Sequence, residues 1–116
     1  MSAVEQGEPS APQMVRAARA ADLDGAPFKA ISLLSKRVAI FRTADGGYTA
    51  REMSCKHQGA DLTAGLFDGG AVTCPRHGWR YDLATGACLN QPLSPPLRRH
   101  AVRVEGDEIW VSLRPA

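Results

Sequence analysis

Two short segments constrain this chain more than anything else in it: Cys55-Lys56-His57 and, after sixteen intervening residues, Cys74-Pro75-Arg76-His77. Each offers one thiolate and one imidazole from a single tight loop. Gly59, Gly65, Gly69, Gly70 and Gly78 lie close by, where backbone must bend or approach a bound group. Zinc knuckles usually pair two cysteines in one loop and two histidines in another, whereas here each loop mixes the two kinds of donor. That mixture fits a two-iron cluster with both thiolates on one iron and both imidazoles on the other; a zinc site is the weaker alternative.

The rest of the composition narrows the setting. A chain of 116 residues suits one domain, and one this small gains from a metal centre that helps to hold it together. Eight prolines and eleven glycines favour turns and short strands over long helices. A net charge of +2 gives no case for nucleic acid or an anionic membrane, and no stretch approaches the roughly 18 apolar residues of a span. The first residues carry Glu5 and Glu8 and no apolar run, so no secretory signal or twin-arginine pattern is expected and a cytoplasmic protein is the default. Three cysteines, an odd number, argue against a disulfide scaffold.

Residues 1–13 are polar, small and proline-containing, which predicts a disordered tail, with the domain running over 14–116. Arg37–Thr43 reads as a strand, turning at Asp45-Gly46-Gly47 into a second at Tyr48–Arg51. Val102 and Val104 alternate with Arg103 and Glu105. Gly106-Asp107 then turns the chain, and Ile109, Val111 and Leu113 repeat the pattern. Between these hairpins, residues 54–96 read as irregular and loop-built.

The segments CKHQGADL (55–62) and CPRHGWRYD (74–82) resemble the two cluster loops of the Rieske family, and the likeness extends over about Met14 to Leu113. The proline-rich LNQPLSPPL stretch (89–97) is similar to the third loop that shields the cluster in relatives. The resemblance implies an all-β Rieske fold: an antiparallel β-sandwich or small-barrel base carrying a loop-built cluster-binding subdomain at one tip. It implies one Rieske-type [2Fe–2S] cluster held by Cys55, His57, Cys74 and His77, with the histidines towards solvent.

It also bears on tuning. High-potential relatives carry an extra cysteine in each loop, joined as a disulfide; those positions here are Ala60 and Arg76. They place a serine two residues after the second histidine, where this chain has Trp79. The tyrosine four residues after that histidine is kept as Tyr81, and the resemblance implies that it donates to the sulfur of Cys55. Hydrogen bonds to sulfur stabilise the reduced, more negative cluster, so one missing donor predicts a potential in the lower Rieske range, roughly −150 to 0 mV. Trp79 is expected beside the cluster, as a shield or as part of a docking face. Lys56, Arg76 and Arg80 are candidates for a basic docking edge. Cys88 reads as a buried small hydrophobe, with a reactive thiol as the weaker alternative, His100 as the head of a strand, and Trp110 as packing or edge in the final strand.

Once the two motif histidines are used, only His100 is left, too few for a 2-His-1-carboxylate iron site, and there is no G-x-G-x-x-G fingerprint. The HGWRYD stretch also resembles the Rieske domain of oxygenase large subunits, which continue into a catalytic domain, whereas this sequence stops at Ala116. The expectation is therefore a non-catalytic one-electron carrier resembling the Rieske ferredoxins of aromatic-ring dioxygenases and multicomponent monooxygenases. Its donor would be a flavin-containing NAD(P)H-dependent reductase and its acceptor a terminal oxygenase. The alternatives are a fixed small subunit, as in NADH-dependent nitrite reductase, and, more weakly, a zinc-binding interaction module.

Overall fold

The computed structural model describes residues 13–43, 45–56 and 59–115. The strands are β1 (Met14–Arg19), β2 (Lys29–Leu33), β3 (Lys36–Arg42), β4 (Tyr48–Glu52), β5 (Leu66–Asp68), β6 (Ala71–Thr73), β7 (Arg80–Asp82), β8 (Arg99–Glu105) and β9 (Glu108–Pro115). The helical turns among the described residues are two short 3₁₀ pieces, Ala20–Leu23 and Leu62–Ala64, neither long enough to cross a membrane. All strand pairs are antiparallel. Six strands, in the order β1-β9-β8-β4-β3-β2, form the nearly closed, barrel-like base. The insert between β4 and β8 forms a small sheet, β5-β6-β7, and the loops around it.

Strand β3 explains why the insert sits where it does. Val38, Ala39, Ile40 and Phe41 are all buried, so this strand is covered on both faces. With a side-chain period of two, Val38 and Ile40 join Leu33, Ala50, Ile109 and Val111 on one face. Ala39 and Phe41 face the other way and pack with Met53, Leu62, Val72, Tyr81 and Leu97 of the insert. Burying a side chain of this size stabilises by about 1.5–3 kcal/mol, so the insert is held by a core of its own and not by its loops alone.

Both predicted hairpins form. Thr43 N–H donates to Gly47 O at 2.9 Å and Gly46, at φ +89°, closes the turn back to Thr43 O; Ala44 lies outside the described residues. In the second hairpin, Ile109 and Val111 are fully buried as the alternation implies, but Val104 is 48% exposed. Its strand pairs with β4 only through His100 and Arg99, so the far end of β8 runs beyond the cover of the base. The predicted tail falls outside the described residues except for Gln13, whose carbonyl accepts from Leu113 N–H at 2.8 Å and extends the β1–β9 pairing.

Candidate metal centre

The two motif loops are built to one backbone plan. Cys55 N–H donates to Ala60 O at 2.8 Å, and Gly59 N–H donates back to Cys55 O at 2.7 Å. In the second loop Cys74 N–H donates to Trp79 O at 2.7 Å, and Gly78 N–H donates to Cys74 O at 3.2 Å. Each loop thus closes between a cysteine and the residue five positions on, with the glycine in between at positive φ, +72° for Gly59 and +76° for Gly78. A side chain at either position would pay the left-handed cost that glycine avoids.

The thiols are inside and the imidazole end is outside. Cys55 and Cys74 are 2% and 3% exposed, whereas His77 and its neighbours Pro75 and Arg76 are exposed. His57 and Gln58 lie outside the described residues. Burial alone would push the Cys74 thiol up. The backbone N–H groups of Arg76 and His77, a hydrogen bond with Cys55 and the Arg76 charge outweigh it, and the net direction is down. Amides aimed at sulfur favour the thiolate, the form in which cysteine binds metal. Tyr81 is fully buried, with its hydroxyl 3.8 Å from Cys55 Sγ while it accepts Lys56 N–H at 3.0 Å. Burial pushes its phenol up to about 12, so it stays protonated and its one hydrogen is available to the sulfur.

At the tip, Lys56 and Trp79 line a groove of about 330 Å³ with Gln91, Pro92, Leu93, Ser94 and Pro95 of the third loop. Leu93 is 98% exposed at its rim. Arg80 does not join this edge: its guanidinium turns back onto the small sheet, to Thr73 Oγ1 at 3.4 Å and Asp68 O at 3.3 Å. Cys88 is half-buried against the insert core, and its thiol points to Asn90 Oδ1 at 3.7 Å. His100 is buried with Nδ1 2.7 Å from Ser112 O, and Arg103 lies over the Trp110 ring at 5.3 Å.

Two residues that the sequence did not single out also shape the site. Asn90 ties the second loop down, accepting Arg80 N–H at 2.9 Å and donating to Gly78 O at 2.9 Å. Arg51 is buried and donates to three insert carbonyls, those of Leu83, Ala84 and Leu97. An asparagine in a loop and an arginine in an alternating strand carry no marker that separates such roles from ordinary exposure.

A model of the Rieske [2Fe-2S] domain matches residues 13–104. Ferredoxin CarAc of Metapseudomonas resinovorans is 35% identical over 75 residues, covering 65% of this chain and 69% of CarAc. Oxidoreductase NdmD of Pseudomonas putida is 34% identical over 90 residues, which is 71% of this chain but only 15% of NdmD. Among solved structures, one described as a complex of reduced oxygenase and oxidized ferredoxin in carbazole 1,9a-dioxygenase contains a chain similar to this one. The TM-score is 0.75 at 26% identity, covering 89% of this chain and 95% of that one. The chain belongs to the Rieske [2Fe-2S] family, and one Rieske-type [2Fe–2S] cluster is its cofactor. The site fits that group: two buried thiols face each other, amides and a protonated phenol are directed at the sulfurs, and an imidazole stands at the open end.

Proposed function

We propose that this chain is a one-electron carrier, taking electrons from an NAD(P)H-dependent flavin reductase and delivering them to a terminal oxygenase, without transforming a substrate itself. Cys55 and Cys74 would hold one iron, His57 and His77 the other, within a single domain over 14–116. When bound, the cluster supplies a reversible one-electron couple. The observation that carries the reading is the burial contrast: the cysteine side is sealed, and the His77 side opens at the tip, so electrons enter and leave at one exposed edge. The near-complete coverage of a chain in an oxygenase–ferredoxin complex supports the oxygenase as acceptor. The cytoplasm, where the nicotinamide nucleotides that feed such a reductase are held, is the compartment proposed.

Charge layout supports docking by the tip. The cluster loops lie at the end of the base where β3 begins and β4 finishes, beside exposed Lys36, Arg98 and Arg99 and the Arg37–Asp61 ion pair. Lys56 and Arg76 extend this basic end. The turns at the opposite end carry Asp45 and Asp107, with Asp24 and Glu105 ion-paired to Arg42 and Arg103. A positive tip steers the molecule towards an acidic surface. Arg80 is withdrawn from this role by its bonds to the small sheet.

The test is anaerobic potentiometry with EPR, followed by stopped-flow oxidation by the carbazole dioxygenase terminal oxygenase at varied ionic strength. A Rieske signal with a midpoint between about −150 and 0 mV is expected. The transfer rate should fall as salt rises, and should fall further when Lys56 and Arg76 are both reversed to Glu. A midpoint above about +100 mV would overturn the low-potential carrier reading. Transfer indifferent to salt would overturn basic steering.

A further inference from the structure

Arg51 is a buried cation at a place where strand packing has no need of one. It is 5% exposed, on the face of β4 that meets the insert, and it belongs to none of the ion pairs among the described residues. Its donors are spent on backbone instead: Nε to Leu83 O at 2.9 Å, Nη2 to Ala84 O at 2.6 Å and Nη1 to Leu97 O at 3.1 Å. Gly86 completes the seat. Its φ is +82°, and a Cβ there would meet Leu97 O at 2.7 Å and Arg51 Nη1 at 2.8 Å. Leu97 N–H donates to Gly86 O at 2.8 Å, so the end of the third loop is also tied directly to the turn that follows β7.

Those carbonyls belong to two segments that matter at the cluster. Leu83 and Ala84 follow directly from β7, which carries Tyr81 and its hydroxyl to Cys55 Sγ. Leu97 closes the third loop, whose Ser94 bears on the Tyr81 phenol and whose residues 91–95 line the groove with Lys56 and Trp79. One planar fork therefore fixes the strand that bears the sulfur's donor and the loop that covers it, both to the rigid base. A lysine would keep the charge but lose the fork.

We propose that Arg51 is a positioning residue for the cluster: by locking β7 and the third loop to the base it holds the Tyr81 hydroxyl on Cys55 Sγ and thereby sets the reduction potential. This rests on the assignment of Cys55 and Tyr81 to the cluster site. The experiment measures midpoint potential and EPR line shape in the cluster-loaded full chain, for wild type, Arg51→Lys, Arg51→Gln, Gly86→Ala, Tyr81→Phe and the Arg51→Lys/Tyr81→Phe double variant. Arg51→Lys and Gly86→Ala should each lower the midpoint by at least half of the Tyr81→Phe shift and broaden the signal. The double variant should fall no lower than Tyr81→Phe alone, because both act through one hydrogen bond.

Unchanged midpoints in Arg51→Lys and Gly86→Ala, or shifts that add in the double variant, would overturn the proposal. So would a shift confined to Arg51→Gln, which would mark a charge effect. If neither Arg51 variant folds while Tyr81→Phe does, Arg51 is a structural strut and the proposal also falls. An unmoved midpoint in Tyr81→Phe would likewise overturn the proposal, whereas a wild-type chain with no Rieske EPR signal would instead refute the site assignment beneath it.

Discussion

Replacing Tyr81 with phenylalanine removes one oxygen from a fully buried ring and, besides its contact with Ser94, changes two that bear on the first motif loop. The hydroxyl sits 3.8 Å from Cys55 Sγ, and it accepts the Lys56 N–H at 3.0 Å. With its phenol pushed up to about 12 by burial, Tyr81 is a donor throughout the neutral range. A hydrogen bond to sulfur strengthens when the cluster gains an electron, because the sulfur then carries more negative charge. If the reduced state gains about 1 kcal/mol more than the oxidised one, the one-electron couple shifts by about 43 mV, and its loss should lower the midpoint by about 30–60 mV. The same change strands the Lys56 N–H in a half-buried position, which should cost about 1 kcal/mol of stability. Potentiometric titration followed by EPR reads the first effect, and thermal unfolding of the loaded protein reads the second. A midpoint within about 10 mV of wild type, or a rise, would refute the reasoning, since a donor whose removal costs the reduced state nothing is not tuning it.

Other changes have equally definite outcomes. The β2–β3 hairpin turns on Leu34 and Ser35 at φ +50° and +67°, with Leu34 51% exposed, so Leu34→Asn with Ser35→Gly should raise stability by about 1–2 kcal/mol in denaturant titration and leave the midpoint unchanged. Gly65 has no room for a side chain, since a Cβ would strike Thr73 O and press on Leu62 O and Val72 Cγ2 at 3.1 Å. Gly65→Ala should cost about 1–3 kcal/mol and reduce cluster retention, read by labile-sulfide content. Burial alone would raise the Asp61 carboxyl, but the Thr63 hydroxyl and N–H, with Arg37 at 3.5 Å, outweigh it and hold it below the ordinary carboxylate range. A folded pKa depressed in this way contributes stability above the unfolded value and loses it as pH falls through the folded one. Asp61→Asn should therefore flatten the acid limb of unfolding below about pH 4, and cost under about 1 kcal/mol at pH 7 because the group is half exposed.

The two Cys-His motif loops and two hairpins were legible in the sequence because each has a local cause. Donor spacing marks the first, and Asp45-Gly46-Gly47 and Gly106-Asp107 between alternating strands mark the others. The small sheet was not legible. Leu66–Asp68, Ala71–Thr73 and Arg80–Asp82 are three residues each, too short for a period of two to declare itself. Strand β1 was hidden because MVRAAR has no alternation of its own; β9 supplies its register. Asp82–Gly86 forms a plain turn, but Gly86 also makes room for the Arg51 fork, which depends on a partner 35 positions back in the chain. Arg80 read as part of the basic tip because it follows the second motif closely. Strand pairing with β6 turned its side chain away, a consequence of register that loop spacing does not contain.

The shared plan of the two loops separates two kinds of change. In each, the ring is closed by peptide groups, from the cysteine to the residue five on and from the glycine four on back to the cysteine. None of those bonds uses the side chains of Lys56 or Pro75, so substitution there alters the charge and shape of the outer face while the scaffold beneath it keeps its form. A chain of this build can drift from one redox partner to another by surface substitution alone. Cluster retention and partner choice then become separately heritable traits written into the same dozen residues.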